Sequence, residues 1–487
     1  MSDHQKLNTF NNHDQRNRLM LKEELRLRQE QGCNVEALRR KIERHPCEMT
    51  RNQCIAFFEE LAALKAKFGE NAEPSDYARI ASARPAGPRA VKFNISHARL
   101  RSKLLGAWNG RCIGCLLGKP VEGWDMADIE LMGKLSTGYP LAGYLGASYP
   151  PPVDKINKRF TRLLINRFST PGSNVVHDFL PGGMPPDDDT SYPVLNTLLL
   201  KQYGASFTTE NVGDFWLGHF PFNSVCTAEH IAYRNLANNI PPPECASYLN
   251  PGRELIGAQI RADAYGYIAP GMPELAAAMA FKDACLSHVQ NGIYGAMWVA
   301  AMLAAAFVSS DVFEVIEIGL SEIPEKSRLT AAIRKIVSAW KKNRSWKKTM
   351  VEMERHYGKH ILHEGHTINN AAVVAIGLME GKDDFERGVT RSVMCGYDAD
   401  CNGATVGSIL GLLHGAEAIA EKWTKPLNDT IFTEIAGHYK VGISAMAAQS
   451  QEMAIKMLMN PPAIADITRN ELKSVKPGEH LWEMPRY

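Results

Sequence analysis

Two short acidic runs carry the strongest chemical signal in the chain. The first, PPDDDTSY, sets Asp187, Asp188 and Asp189 side by side with Thr190 behind them, and the apolar pattern YPVLNTLLL follows. Three adjacent carboxylates repel one another, and a hard divalent cation, which prefers oxygen ligands, relieves that repulsion. The competing explanation is a helix N-terminus, where aspartate caps the chain and complements the helix dipole. The second run, CGYDADCNGATVG, places Asp398 and Asp400 two residues apart, followed by Cys401 and Asn402 at the head of a small-residue helix. An EF-hand is excluded, because DADCNGATVGSI lacks the closing glutamate at its twelfth position. Either run alone is as well explained by a cap as by a ligand set. Together, each heading a small-residue helix, they fit a centre of two magnesium or manganese ions about 3.5–4 Å apart that activates a water.

Further polar residues concentrate in the middle of the chain. IGAQIRADAYGYIAPGMPE gathers Gln259, Arg261, Asp263, Tyr265 and Tyr267, and LSHVQNGIYG adds Ser287, His288, Asn291 and Tyr294. Arginine binds phosphate in a bidentate fork, tyrosine stacks on a base or sugar, and Asn and His hydrogen-bond ribose hydroxyls. The alternative is a buried polar network between helices. Other patterns carry less. Cys112 and Cys115 form a CxxC, but in mid-helix among glycines, which favours small packing residues over redox chemistry. His356, His360 and His363 would share one face of a helix ending at Gly365, where cationic histidine suits the dipole. His366 would lie past that helix, ahead of Asn369 and Asn370 as caps of the next. No Walker A loop or GxGxxG fingerprint is present.

The elements that must position these groups read as helices. From a Ser96 cap, SHARLRSKLLGAWNGRCIGCLLG carries Gly106, Gly110, Gly114 and Gly118 at every fourth residue. A second stripe, Gly403, Gly407, Gly411 and Gly415, runs through NGATVGSILGLLHGAEAIAEKW. Glycine costs about 1 kcal/mol per helix position relative to alanine, so each stripe implies close approach of another backbone. Ala-rich or helix-periodic segments fill the interval, with no βαβ rhythm and no long repeat. The expected class is all-α. Residues 1–95 read as charged and amphipathic helices, an appendage closed by the linker SARPAGPRA, and residues 96–487 as the main domain. Val121 to Pro186, rich in Gly, Pro and Tyr, reads as long loops near the site.

Composition bounds the rest. The 487 residues are 45% hydrophobic and 22% charged, an ordinary globular balance, and the net charge of +2 offers no footprint for nucleic acid or an anionic membrane. Ten scattered cysteines suit reduced thiols in a cytoplasm better than a disulfide framework. The N-terminus lacks a signal-peptide apolar run, and no stretch approaches the roughly 20 apolar residues of a membrane span.

The motifs together resemble the ADP-ribosylglycohydrolase family, which includes the dinitrogenase reductase-activating glycohydrolases. Gly106, Gly110, Gly114, Gly118 and Glu122 match its first block, Asp187 to Thr190 its Thr/Ser-Asp-Asp-Thr run, and Gly396 to Cys401 its G-x-Asp-x-Asp-Thr/Ser run. The resemblance implies an orthogonal all-α bundle and a binuclear magnesium centre, with manganese as the alternative. It implies Asp188, Asp189, Asp398 and Asp400 as ligands, with Asp187 and Cys401 at hydroxyl-ligand positions. Glu122 matches an acidic residue that contacts the site, and His288 a ribose-contacting histidine. Three departures mark a divergent branch: Cys115 for the usual Asp, Asp187 for the first Thr/Ser, and Cys401 for the last. The implied activity is hydrolysis of an N- or O-glycosidic bond at a ribose-like carbon, with Glu122 or a metal-bound aspartate such as Asp189 as base. Gln259, Arg261, Asp263, His288, Asn291 and Tyr294 would contact the substrate, an ADP-ribosylated protein or a small nucleoside-like molecule. The rivals are a non-catalytic ADP-ribose or nucleotide sensor on the same fold, and an assembly scaffold built on the N-terminal arm.

Overall fold

Among the described residues four helices come first: α1 (His13–Glu30), α2 (Glu36–Glu43), α3 (Arg51–Ala62) and α4 (Tyr77–Ala83). The computed structural model describes residues 13–45, 49–135, 138–145 and 182–468. Met20, Leu21 and Leu25 of α1 pack on Phe57, Phe58 and Leu61 of α3, joined by Ile231 from the main body. That cluster is small, and buried ion pairs fix the segment in place. Glu24 accepts two bonds from Arg253 at 2.6 and 2.8 Å, and Glu73 accepts two from Arg328 at 2.7 and 2.9 Å. Gln31 donates to Glu254 at 2.8 Å. The expected linker is non-helical after Ala83, as its prolines require, yet it is no free tether. Arg84 and Arg89 both bond the buried Glu322, and the Val91 amide reaches the Gly271 carbonyl at 2.7 Å.

Helix α5 (His97–Gly118) starts where the Ser96 hydroxyl accepts the Arg99 amide at 3.2 Å. It is followed in the body by α6 (Asp188–Tyr203), the wholly buried α7 (Asn291–Ala305), α8 (Thr367–Glu380) and α9 (Ala399–His414). Helices α5 and α9 run antiparallel, glycine against glycine. A Cβ on Gly110 would lie 2.0 Å from the Gly407 carbonyl oxygen, and one on Gly114 would lie 1.9 Å from that of Gly403. The reciprocal additions meet the same backbone: 2.0 Å from Gly407 to Gly110, and 2.1 Å from Gly411 to Gly106. The glycine spacing thus places the end of α5 on the start of α9, where Gly118 faces Ala399 and Asp400.

The fold is all-α. Among the described residues the strands are one antiparallel pair, Thr430–Phe432 with Lys440–Gly442. No described helix is long and apolar enough to cross a membrane. Three local expectations change. The histidine segment is not one helix to Gly365: the helix Trp346–Tyr357 stops at Gly358, so His356, His360 and His363 share no face. The cap of α8 is His366, whose Nδ1 accepts the Ile368 amide at 3.1 Å, with Asn369 and Asn370 inside the first turn. The expected loop region holds a helix at Met126–Leu135, and its stretch 146–181 lies outside the described residues.

Candidate metal centre

Five separate segments bring carboxylates, Glu229 and Glu364 among them, to one cleft of about 270 Å³. Glu122 comes from the turn after α5, Asp187 and Asp188 from the head of α6, and Asp398 and Asp400 from the head of α9. Asp187 is the N-cap of α6, its Oδ1 accepting the Asp189 amide at 2.9 Å. The cap reading and the ligand reading therefore meet in one residue. The α9 run is aimed by backbone strain. Gly396 and Tyr397 both hold positive φ, +76° and +64°, and a Cβ on Gly396 would sit 2.4 Å from the Trp124 carbonyl. Left-handed backbone is unusual for a bulky residue and survives only where its surroundings enforce it. The Tyr397 hydroxyl donates to Glu354 at 2.7 Å. Asn370 Oδ1 accepts from the Asp398 amide at 3.2 Å and from Asn402 Nδ2 at 2.8 Å.

The ligand atoms form three overlapping groups, each within 4.8 Å: Cys115, Asp187 and Asp189; Asp189, Asp400 and Cys401; Glu122, Asp398 and Asp400. Asp189 links the first group to the second, and Asp400 the second to the third. Asp188 belongs to none of them but lines the cleft. Burial, and then the Asp187 charge, push the Asp188 and Asp189 carboxyls well above the usual range. Burial and Glu122 do the same to Asp400. Burial also raises Asp187, but the Lys119 ammonium overrides it and holds this carboxyl low. Hard oxygen donors crowded beyond their own charge tolerance are the donor set a divalent ion of the magnesium type requires. The residues present fit such an ion.

The thiols contribute differently. Cys115 Sγ lies 4.0 Å from Asp189 Oδ2, and Cys401 packs with Ile256 and Ile260 in a small apolar cluster. Burial and the surrounding carboxylates push both thiols well up, so they stay neutral. A neutral thiol is a poor magnesium ligand.

The six candidate substrate contacts lie apart from the cleft lining. Arg261 is fully buried: its guanidinium bonds Asp283, the Ser287 hydroxyl at 2.9 Å and Glu229 Oε1 at 2.6 Å, and lies 4.9 Å from the Trp216 ring centre. Asp263 accepts from Arg111 at 2.9 Å, from Tyr267 at 3.1 Å, and from Ser408. His288 Nδ1 pairs with the Ser287 hydroxyl at 2.8 Å, and its Nε2 stands 4.0 Å from Glu229. Burial, then Arg261, hold that imidazole neutral. Gln259 is buried with both amide atoms unbonded. Asn291 Nδ2 donates to Glu73 at 2.7 Å and Glu254 at 3.0 Å, and the Tyr294 hydroxyl donates to the Pro74 carbonyl at 2.6 Å. These two anchor the N-terminal segment. Arg261, Asp263 and His288 sit in a buried polar network, and Gln259 is buried beside it without a partner of its own among the described residues.

Several residues at the site escaped sequence reasoning. Arg111, fully buried, ties Asp189 Oδ1 at 3.2 Å to Asp263 and the Ile260 carbonyl. Glu229 and Thr227 line the cleft, and Thr227 holds a φ of +41°, a strained value for a β-branched residue. Arg111 and Lys119 stand eight residues apart with Cys115 midway, a polar row on α5 beside the glycines that the sequence did display.

Residues 96–452 match the family model for ADP-ribosylglycohydrolase. The chain belongs to the ADP-ribosylglycohydrolase family. Its members' glycohydrolase activity and typical metal dependence agree with the acidic groups of the cleft. A solved structure titled "ADP-ribosylglycohydrolase-related protein complex" is similar at 19% identity with a TM-score of 0.47, covering 73% of this chain and 99% of that one. No curated protein sequence matches this ADP-ribosylglycohydrolase-family chain.

Proposed function

We propose that the protein is a metal-dependent hydrolase of an N- or O-glycosidic bond at a ribose-like carbon, using two divalent ions, magnesium or in its place manganese. The observation that carries this is the convergence of Glu122, Asp398, Asp400, Asp187 and Asp188 on one cleft within the family-matched region. Bound divalent ions would polarise sugar hydroxyls and lower the pKa of a bound water.

The chain's own groups divide the remaining work. Glu122 is exposed at the cleft, beside Asp398 and Asp400, and is placed to take a proton from an attacking water. Asp189 is fully buried and bonded to Arg111, so its oxygens would serve as ligands to an ion rather than as the base. Arg261 acts through Glu229, holding that carboxylate against the cleft wall. A cleft near the lower end of the roughly 300–1,000 Å³ typical of ligand sites suits the sugar of a larger substrate. The remainder, an ADP-ribosylated protein or a nucleoside-like group, would lie outside it. The free thiols of Cys112, Cys245, Cys285 and Cys395, none of them in a disulfide, support a reducing, cytoplasmic location.

The test is turnover of ADP-ribosyl-arginine, ADP-ribosyl-serine and nucleosides with magnesium or manganese, in the wild type and in Asp188→Asn and Asp400→Asn. Metal-dependent release of ribosyl product, abolished in both variants, is the expected result. Full activity and unchanged metal binding in both variants would overturn the proposal, and binding of ADP-ribose without any turnover would favour the sensor.

A further inference from the structure

One end of the acidic cleft already holds a cation supplied by the chain. Lys119 leaves the C-terminal end of α5, and its Nζ donates to Asp187 Oδ2. Asp187 Oδ1 is engaged by the Asp189 amide at 2.9 Å, so both oxygens of this carboxylate have protein donors. Arg111, two turns earlier on the same helix, bonds Asp189. The other end differs: among the described residues the Lys119 ammonium contacts Asp187 directly, while Asp400 feels its charge only at longer range. The charges explain the pairing. Asp187 adds a third negative charge beside Asp188 and Asp189, and the Lys119 ammonium cancels it. The Lys119 side chain is 15% exposed and lines the cleft, so its flexible four-carbon stem has a route outward.

We propose that Lys119 is a built-in competitor for one of the two cation positions, so that the centre loads in two unequal steps. The first ion would bind at the Asp398 and Asp400 end, with Glu122 beside it as the base. The second binds at the Asp187 end only by displacing the Lys119 ammonium, because a divalent ion and an ammonium cannot share that carboxylate without repulsion. This rests on the metal-dependent reading above, and it adds an order of loading and a residue that sets it.

The experiment is calorimetric titration of Mn²⁺ into the metal-stripped full chain, for the wild type, Lys119→Met and Lys119→Arg. In the wild type the second step is expected to be at least tenfold weaker than the first, or too weak to detect. Lys119→Met is expected to strengthen the second step tenfold or more and to leave the first within threefold, while Lys119→Arg keeps the wild-type pattern. Thermal melts with and without Mn²⁺ accompany each titration, and Lys119→Gln replaces Lys119→Met if the latter does not fold. Two equal steps in the wild type, or a second step within twofold of wild type in the neutral variants, would overturn the loading order while leaving the metal centre standing. Absence of Mn²⁺ binding in every form would overturn both.

Discussion

The Gly123 amide donates to the Tyr397 carbonyl at 2.7 Å, and this bond joins the turn that carries Glu122 to the turn that carries Asp398. The two residues come from opposite ends of the main body, yet their neighbours share a backbone hydrogen bond of the kind found within a sheet. The turns that carry the third acidic group are thereby tied together by main chain, and the Asp400 carboxylate also accepts the Cys401 amide at 3.1 Å.

Asn370 reinforces the same turn through the Asp398 amide and Asn402. Partners that orient metal ligands typically contribute 10–100-fold in metal affinity or activity. Asn370→Ala is therefore expected to weaken Mn²⁺ binding by about that factor, read by calorimetry, while the protein still unfolds cooperatively. Unchanged affinity would show that Asn370 serves only the helix.

The glycine seam admits no side chain. Gly407→Ala would put a methyl 2.0 Å from a backbone oxygen, so the helices must part. A loss of about 1–3 kcal/mol or more is expected, visible as a lower Tm. Gly218→Ala, where a Cβ meets nothing within 4 Å, is the control and should be neutral or stabilising.

Arg328 is the clamp of the N-terminal segment, bonding Glu73 at 2.7 Å and Glu254 at 2.6 Å. Arg328→Ala leaves two buried carboxylates without their cation, a defect that costs about 3–5 kcal/mol. Limited proteolysis should then cut within residues 13–95 first, and denaturant unfolding should begin earlier than in the wild type.

Glu30 provides a pH test with a definite sign. Burial raises its carboxyl to about 7 in the folded chain, above its ordinary value. Its proton therefore stabilises the fold below the ordinary carboxylate range, and that contribution is lost as pH rises through about 7. Glu30→Gln lacks this loss. Its stability relative to the wild type should climb between pH 5 and 8 by up to about 3 kcal/mol, measured by denaturant titration at each pH. A constant difference across that range would refute the assignment. His366, 3.9 Å away, is held down to about 4 by burial, so it stays neutral through the same range.

The glycine stripes and the acidic runs were legible because each is costly without a partner. Repeated glycine weakens a helix unless a backbone lies against it, and clustered aspartate repels itself unless a cation is near. Arg261, Asp263, Asn291 and Tyr294 were not legible in the same way. A buried arginine and a phosphate-binding arginine look alike in sequence, and the groups that claim these residues, Glu229, Arg111, Glu73 and Pro74, come from segments that only the fold brings near. Glu24, Gln31 and Glu73 carry no signal in the sequence, although they are contacts that seat the N-terminal segment on the body.

The antiparallel glycine pair has one last consequence, for error. Facing stripes with a four-residue period mesh only in discrete registers, and a slip by one period shifts α5 along α9 by about 6 Å. Such a slip would carry Glu122 away from Asp398 and Asp400 by more than a ligand set can span. The seam thus works like a ratchet with coarse teeth: α5 either engages in the notch that assembles the acidic cleft or in one that leaves none, with no graded misalignment between.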